Sequence, residues 1–181
     1  QNSVPKGEGG MVAVLGSTVE VIEKILKDND SKFIAQIAND NSEGQIVLSG
    51  KTEDLEKLTE LLKENSIKNI KLPVSAPFHC KLMNKATSIM REKINNTNFE
   101  KPKNCIISNV TATETQEVDK IKDLLIKQIE SPVRWRESVI YMIKNGVKNF
   151  IEIGPGKVLS GLVKRIDRTI NINAINKFDD L

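Results

Sequence analysis

The chain carries a single histidine, His79, and two cysteines, Cys80 and Cys105. A zinc site takes three or four Cys, His or carboxylate ligands at regular spacing, and these residues cannot supply a Cys/His set. Imidazole chemistry must therefore pass through His79. An imidazole, with an ordinary pKa of about 6.5, is the usual general base at neutral pH, provided a nucleophile and an orienting acceptor accompany it. His79 follows Pro73 and Pro77, which forbid a helix in this segment. A loop of this kind at the junction of two folded units is where clefts form. The plain alternative is a satisfied or merely exposed histidine. Cys80 is not the partner nucleophile, because neighbouring side chains in an extended segment point to opposite faces. It reads as a small buried apolar residue, and Cys105, within a strand, reads as core too. A serine nucleophile would need a strained GxSxG elbow, and that pentapeptide occurs nowhere in the 181 residues. Gly154-Pro155-Gly156-Lys157 is no phosphate loop either: Ile151 stands where the first glycine is required, and Val158 follows the lysine. It reads as a tight strand-to-helix turn. The residues hold a candidate base and no recognisable nucleophile, so they cannot complete an acyl transfer alone.

The elements that must position His79 fall into two groups. Residues 11–15 are a short apolar run entered through Gly9-Gly10. Ser17-Thr18-Val19-Glu20 has capping-box form, with Glu20 placed to reach the Ser17 amide. Val19, Ile22, Ile25 and Leu26 continue it as a helix. Strands are expected at 33–38 and 45–48, with turn chemistry at 39–44 between them. Thr52 opens a second helix with the face Leu55, Leu58, Leu61 and Leu62, and 67–72 closes the unit as a fourth strand. The order β-α-β-β-α-β over 10–73 is the ferredoxin-like split arrangement, preceded by a connecting segment at 1–9. From 74 to 181 the rhythm changes. Helices are expected at 82–94, 118–128, 135–144 and 158–165, and strands at 105–108, 150–153 and 170–175. That alternation implies an α/β class with a parallel or mixed sheet. The internal boundary lies near Leu72-Pro73.

Composition limits the function classes. With 39% hydrophobic, 28% charged and 4% aromatic residues, the chain is too apolar for disorder and too evenly charged for a membrane protein. No apolar stretch approaches the roughly 18 residues of a membrane-spanning helix. A net charge of +3, with lysines spread throughout, does not argue for nucleic acid, though it would not repel an acidic partner. Two isolated cysteines make no disulfide framework, so a reducing, cytoplasmic setting is expected. The chain opens on Gln1 rather than Met, which raises the expectation of a segment upstream.

Four motifs then add up to a resemblance: LPVSAPFHCKLM at 72–83, NDNSEGQIVLSG at 39–50, SPVRW at 131–135 and IEIGPGKVLSGL at 151–162. In order and spacing the chain resembles the C-terminal portion of bacterial malonyl-CoA:acyl-carrier-protein transacylases over essentially its whole length. The resemblance implies a ferredoxin-like small lobe at 10–73 and, at 74–181, the last part of an α/β-hydrolase-like acyltransferase lobe. Three family features, the Gly-Gln-Gly oxyanion segment, the GHSxG elbow and a carboxylate-binding arginine, are expected upstream of Gln1, leaving this chain alone inactive. The implied activity moves malonyl from malonyl-CoA to the phosphopantetheine thiol of acyl carrier protein, in fatty acid biosynthesis, by a ping-pong mechanism. It implies His79 as base, the Gln128 carbonyl as its orienting acceptor, and Asn39 and Asn41 as cleft-lining polar residues. No metal is implied, and no cofactor beyond the substrate's CoA. Phe78 would border the acyl pocket and favour malonyl over methylmalonyl, unless it only packs the loop. The rival reading is a non-catalytic interaction or scaffold protein derived from this fold. An RNA-binding role is disfavoured by the sparse aromatics.

Overall fold

The structure, a computed structural model, describes residues 4, 5, 7–74 and 76–180. Parts of the expected 1–9 connecting segment, and Ser75 of the histidine segment, lie outside the described residues.

The first unit contains β1 (Gly9–Leu15), α1 (Val19–Asp28), β2 (Ala35–Ser42), β3 (Gln45–Lys51), α2 (Thr52–Glu64) and β4 (Lys68–Lys71). The four strands form one sheet in the order β2-β3-β1-β4, with every pair antiparallel. One face of the sheet and the two helix stripes share a core of Val12, Val14, Ile22, Phe33, Ile46, Leu48, Leu55, Leu58 and Leu62. These are the residues that strand alternation and helical spacing single out. The helix start shifts by one residue from the expected capping box. Thr18 is the cap, its Oγ1 accepting from the Val21 amide at 3.4 Å, while Ser17 is buried beside it. Gly16, at φ 74, sets that shift by turning the chain so that its N–H meets the Gly44 carbonyl at 2.8 Å.

The largest departure from expectation is β2. Residues 39–42 were expected in a turn, yet the strand runs through them and only Glu43-Gly44 form the hairpin loop. Two register shifts, between Ile37 and Asn39 and between Asp40 and Ser42, take up the extra residues. Bulges of this kind accommodate Asn and Asp within a strand and re-aim their side chains.

The second unit begins with a loop described at 72–74 and 76–80 and a 3₁₀ turn at Lys81–Met83. It continues through α3 (Asn84–Asn96), β5 (Ile106–Ile107), β6 (Glu114–Thr115), α4 (Val118–Lys127), α5 (Trp135–Lys144), β7 (Asn149–Ile153), α6 (Val158–Ile166) and β8 (Asn171–Ile175). The helices stand close to their expected places. The expected common sheet is absent among the described residues: β5 and β6 form a short antiparallel hairpin, and β7 and β8 a separate parallel pair bridged by α6. The expected strand at 105–108 shrinks to two residues, and Cys105 is exposed rather than core. Cys80 is buried, as its position suggested. A second core of Val139, Val163 and Ile170 forms where α5 and α6 cover β7 and β8.

β2 joins the two units. The Asp40 amide donates to the Val133 carbonyl at 2.9 Å, and the Val133 amide donates to Ala38 at 2.8 Å, extending the sheet by one parallel bridge. Arg136 on α5 chelates the buried Asp40 carboxylate, with Nε 2.9 and 3.0 Å from its two oxygens.

Candidate functional site

The loop carrying His79 packs on the first unit through a bare glycine. A Cβ on Gly9 would lie 2.4 Å from Cγ of Pro77, so only glycine lets the proline ring rest on β1. Pro77 and Ala76 are buried there, and Phe78 lies half-buried against Met11, Ala38 and Val47. The chain then turns rather than staying extended. The Phe78 amide donates to Ala76 at 3.1 Å, and His79 adopts φ 58. Left-handed backbone is uncommon outside glycine and costs on the order of 1–2 kcal/mol, so surrounding contacts must hold it. This turn, not extended geometry, separates the imidazole from Cys80, whose Sγ–H donates inward to the Pro77 carbonyl at 3.2 Å.

His79 is half-buried, with Nδ1 2.8 Å from the backbone oxygen of Gln128. That oxygen is available because Gln128 is the C-cap of α4, and the last carbonyls of a helix have no partner within it. With Nδ1–H donated to a carbonyl, the neutral ring keeps Nε2 unprotonated, the form that accepts a proton.

Neighbouring residues secure the acceptor. Asn109 Nδ2 donates to Gln128 Oε1 at 3.3 Å, and the Asn109 carbonyl accepts the Arg134 amide at 3.1 Å. The Arg134 guanidinium donates to the Val110 and Thr111 carbonyls, each at 3.3 Å, and pairs with Glu137. The hydrogen bond from Arg134, aided by the charges of Arg134 and Arg136, holds the Glu137 carboxyl below its ordinary value against the opposing effect of burial. A depression of about 200 Å³ borders Gln128 and Asn109, walled by Ile107, Leu124 and Leu125.

The structure thus brings together His79 and Gln128, which are 49 residues apart. It does not join the two asparagines to them. Asn39 and Asn41 are half-buried on β2, Asn39 at the Val133 bridge, and among the described residues no hydrogen bond links either to His79 or Gln128. On the same strand the residue that does reach the histidine loop is Gln36. Gln36, Asn109 and the Arg134–Glu137 pair were not singled out from the sequence. Gln36 and Arg134 act on backbone atoms of distant residues, Asn109 on a distant side chain and Glu137 on Arg134 itself, and no local spacing marks such roles.

The comparisons with known proteins agree with one another. The family model described as "Acyl transferase domain" matches residues 2–174. The malonyl CoA-acyl carrier protein transacylase of Bacillus subtilis is 43% identical over 176 residues, 96% of this chain and 56% of that protein. The crystal structure of the transacylase of the same name from Clostridium perfringens superposes with a TM-score of 0.94 at 40% identity, over 99% of this chain and 57% of that one. A type II PKS acyl-carrier protein in complex with its malonyl-transacylase matches at 34% identity and a TM-score of 0.93, over 99% of this chain and 59% of that one. The chain therefore spans little more than half the length of the relatives it matches. By the family model and by these likenesses, the chain belongs to the acyl transferase domain family.

Proposed function

We propose that this chain supplies the histidine of a serine–histidine malonyl transferase that moves malonyl from malonyl-CoA to the phosphopantetheine thiol of acyl carrier protein. The observation that carries the reading is the 2.8 Å contact between His79 Nδ1 and the Gln128 carbonyl, which leaves Nε2 as the proton acceptor. The serine is read as lying in a segment outside these 181 residues, because the chain contains no GxSxG and covers 56% of its Bacillus subtilis relative.

In this reading Nε2 takes the Ser Oγ proton as oxygen attacks the malonyl thioester. The proton then passes to the departing CoA thiolate. In the second half, Nε2 takes the proton of the pantetheine thiol, whose sulfur attacks the acyl-serine ester, and returns it to Ser Oγ. The Gln128 carbonyl orients the ring throughout, where a serine protease uses a carboxylate. No metal or further cofactor enters the scheme, since the thioester carries its own leaving group, the CoA thiolate. Asn39, Asn41 and Phe78 line the acyl side of the cleft.

We read 10–73 as a ferredoxin-like small lobe, supported by its β-α-β-β-α-β order and antiparallel sheet. Residues 74–181 are read as the end of an α/β-hydrolase-like acyltransferase lobe, and 1–9 as the connection into the small lobe. A reducing cytoplasm suits two free cysteines. Among the described residues no helix is long and apolar enough to cross a membrane.

The test is complementation. The 181-residue chain alone should show no malonyl transfer above a His79→Ala control. Fused to or co-expressed with the N-terminal part of a family member, it should become active, and His79→Ala in that assembly should lower kcat by about 10²–10⁴-fold. An assembly equally active with His79→Ala would leave the scaffold reading in its place.

A further inference from the structure

We propose that Gln36 on β2 is the positioning residue for His79, clamping the histidine loop to the segment that bears its acceptor; this rests on the reading of His79 as the base. The Gln36 carboxamide makes three hydrogen bonds to backbone atoms far away in sequence. Its Nε2 donates to the His79 carbonyl at 3.4 Å and to the Glu130 carbonyl at 3.2 Å, and its Oε1 accepts from the Lys81 amide at 3.2 Å. Two of the partners are the carbonyl of His79 itself and the first amide of the 3₁₀ turn that follows it. The third lies two residues beyond Gln128, the residue whose carbonyl receives Nδ1.

The geometry matches the chemistry of a carboxamide. The partners are two carbonyls and one N–H, and a primary amide offers two N–H donors on one atom and an acceptor on the other. The opposite orientation would set N–H against N–H and oxygen against oxygen, so the network settles the assignment. Glutamate could keep only the acceptor contact, and methionine none.

The clamp adds tertiary contacts at two places where the local backbone is strained or leaves its helix. His79 has a left-handed backbone, which relaxes unless its flanks are fixed. The turn after α4 lies beyond the last full helical turn, where the Ile129 and Glu130 amides bond to carbonyls three residues back, at 3.3 and 3.2 Å. Gln36 sits on β2 before its first register shift, opposite Ser49 of β3, so the sheet backbone supports both.

His79 is the only histidine, so its ring can be followed by nuclear magnetic resonance in the full chain without interference. The wild-type ring should be the Nδ1–H tautomer with a slowly exchanging Nδ1 proton. In Gln36→Glu and Gln36→Met the ring should move toward the Nε2–H tautomer that free imidazole favours, with Nδ1–H exchange at least about tenfold faster, while the amide spectrum of β1, β3 and α2 stays native. A variant with native amides and an unchanged tautomer and exchange rate would overturn the clamp and leave the base reading standing. A wild-type ring protonated on Nε2 would overturn both. Should neither variant fold, the wild-type Gln36 carboxamide decides: slowed exchange of its NH₂ protons supports the clamp, and exchange at the rate of an exposed glutamine overturns it.

Discussion

At the scale of single residues, the position of His79 depends on an atom that is missing at Gly9. Its absent Cβ makes room for the Pro77 ring, and with it for the turn that aims the imidazole at Gln128. Gly9→Ala would drive a methyl carbon to 2.4–2.8 Å from three carbons of a ring that cannot rotate away. Overpacking of this sort costs about 1–3 kcal/mol. Thermal unfolding should show that loss, and the Nδ1–H···O=C contact of His79 should weaken with it; a variant of unchanged stability and unchanged imidazole signal would show that the loop finds another seat. Phe78 is the harder residue, because its ring packs on Met11, Ala38 and Val47 while adjoining His79 in the chain. If the ring also limits the acyl pocket, Phe78→Ser in an active assembly should admit methylmalonyl-CoA. One methyl is worth about 1–3 kcal/mol in an apolar pocket, so the kcat/KM ratio should narrow by roughly tens- to a hundredfold. An unchanged ratio with lowered stability assigns Phe78 to packing alone. His79 was legible in the sequence because it has no competitor. Gln128 was legible only through the family resemblance, since a backbone carbonyl leaves no mark on residue type. Gln36 was not legible, because one glutamine on a bulged strand looks like any half-buried polar residue.

Among the elements, the helices and the strands β4, β7 and β8 were read to within one or two residues, and β2, β5 and β6 poorly, for a physical reason. A helix displays its buried stripe every three to four residues, as Leu55, Leu58 and Leu62 do on α2, so its sequence carries its own period. A two-residue strand such as β5 has no period, and in β2 the bulges break the alternation that would have shown it. Gly154-Pro155-Gly156 was rightly read as a strand-to-helix turn, and its capping group turns out to be Glu152. That carboxylate accepts from the Ser160 amide at 2.7 Å, the Leu159 amide at 3.1 Å and the Ser160 hydroxyl, satisfying orphan N–H groups at the start of α6. The Ser160 hydroxyl and backbone bonds, in that order, hold the Glu152 carboxyl below the ordinary value of 4.5. A carboxyl depressed on folding stabilises the folded state above its unfolded pKa, and that contribution is lost as pH falls through the folded value. Glu152→Gln should therefore speed amide exchange at Leu159 and Ser160 at pH 7. The difference from the wild type should shrink below pH 4.5 as the native carboxyl protonates. A difference that is constant down to pH 3 would mean that shape, not charge, caps the helix.

For the whole molecule, the two units differ in how much of their own surface they can bury. The first closes on itself: four paired strands, two helices and a core in which Val14, Ile22, Leu48 and Leu62 are fully enclosed. The second has its strands in two separate pairs, and the outer face of β7 and the start of α6 stand in solvent, with Ile151 60% exposed, Ile153 80% and Val158 72%. Alternation along β7 buries Phe150 against α5 and α6 and turns the isoleucines outward. Such a face and its unpaired edges contribute little to stability until something covers them. What ties this unit down is the seam on β2, where Asp40 meets Arg136 and Val133 adds its bridge. Amide exchange in the monomeric chain should accordingly fall into two classes: the slowest amides in β1, β3 and α2, approaching the limit set by global unfolding, and those of β7, β8 and α6 faster by sub-global opening. Residues 38–40 and 133 should resemble the slow class, because the seam opens only when β2 does. Equal protection in both units, with the chain shown to be monomeric by sedimentation, would mean that the small second core and the seam suffice to make the two units one cooperative body.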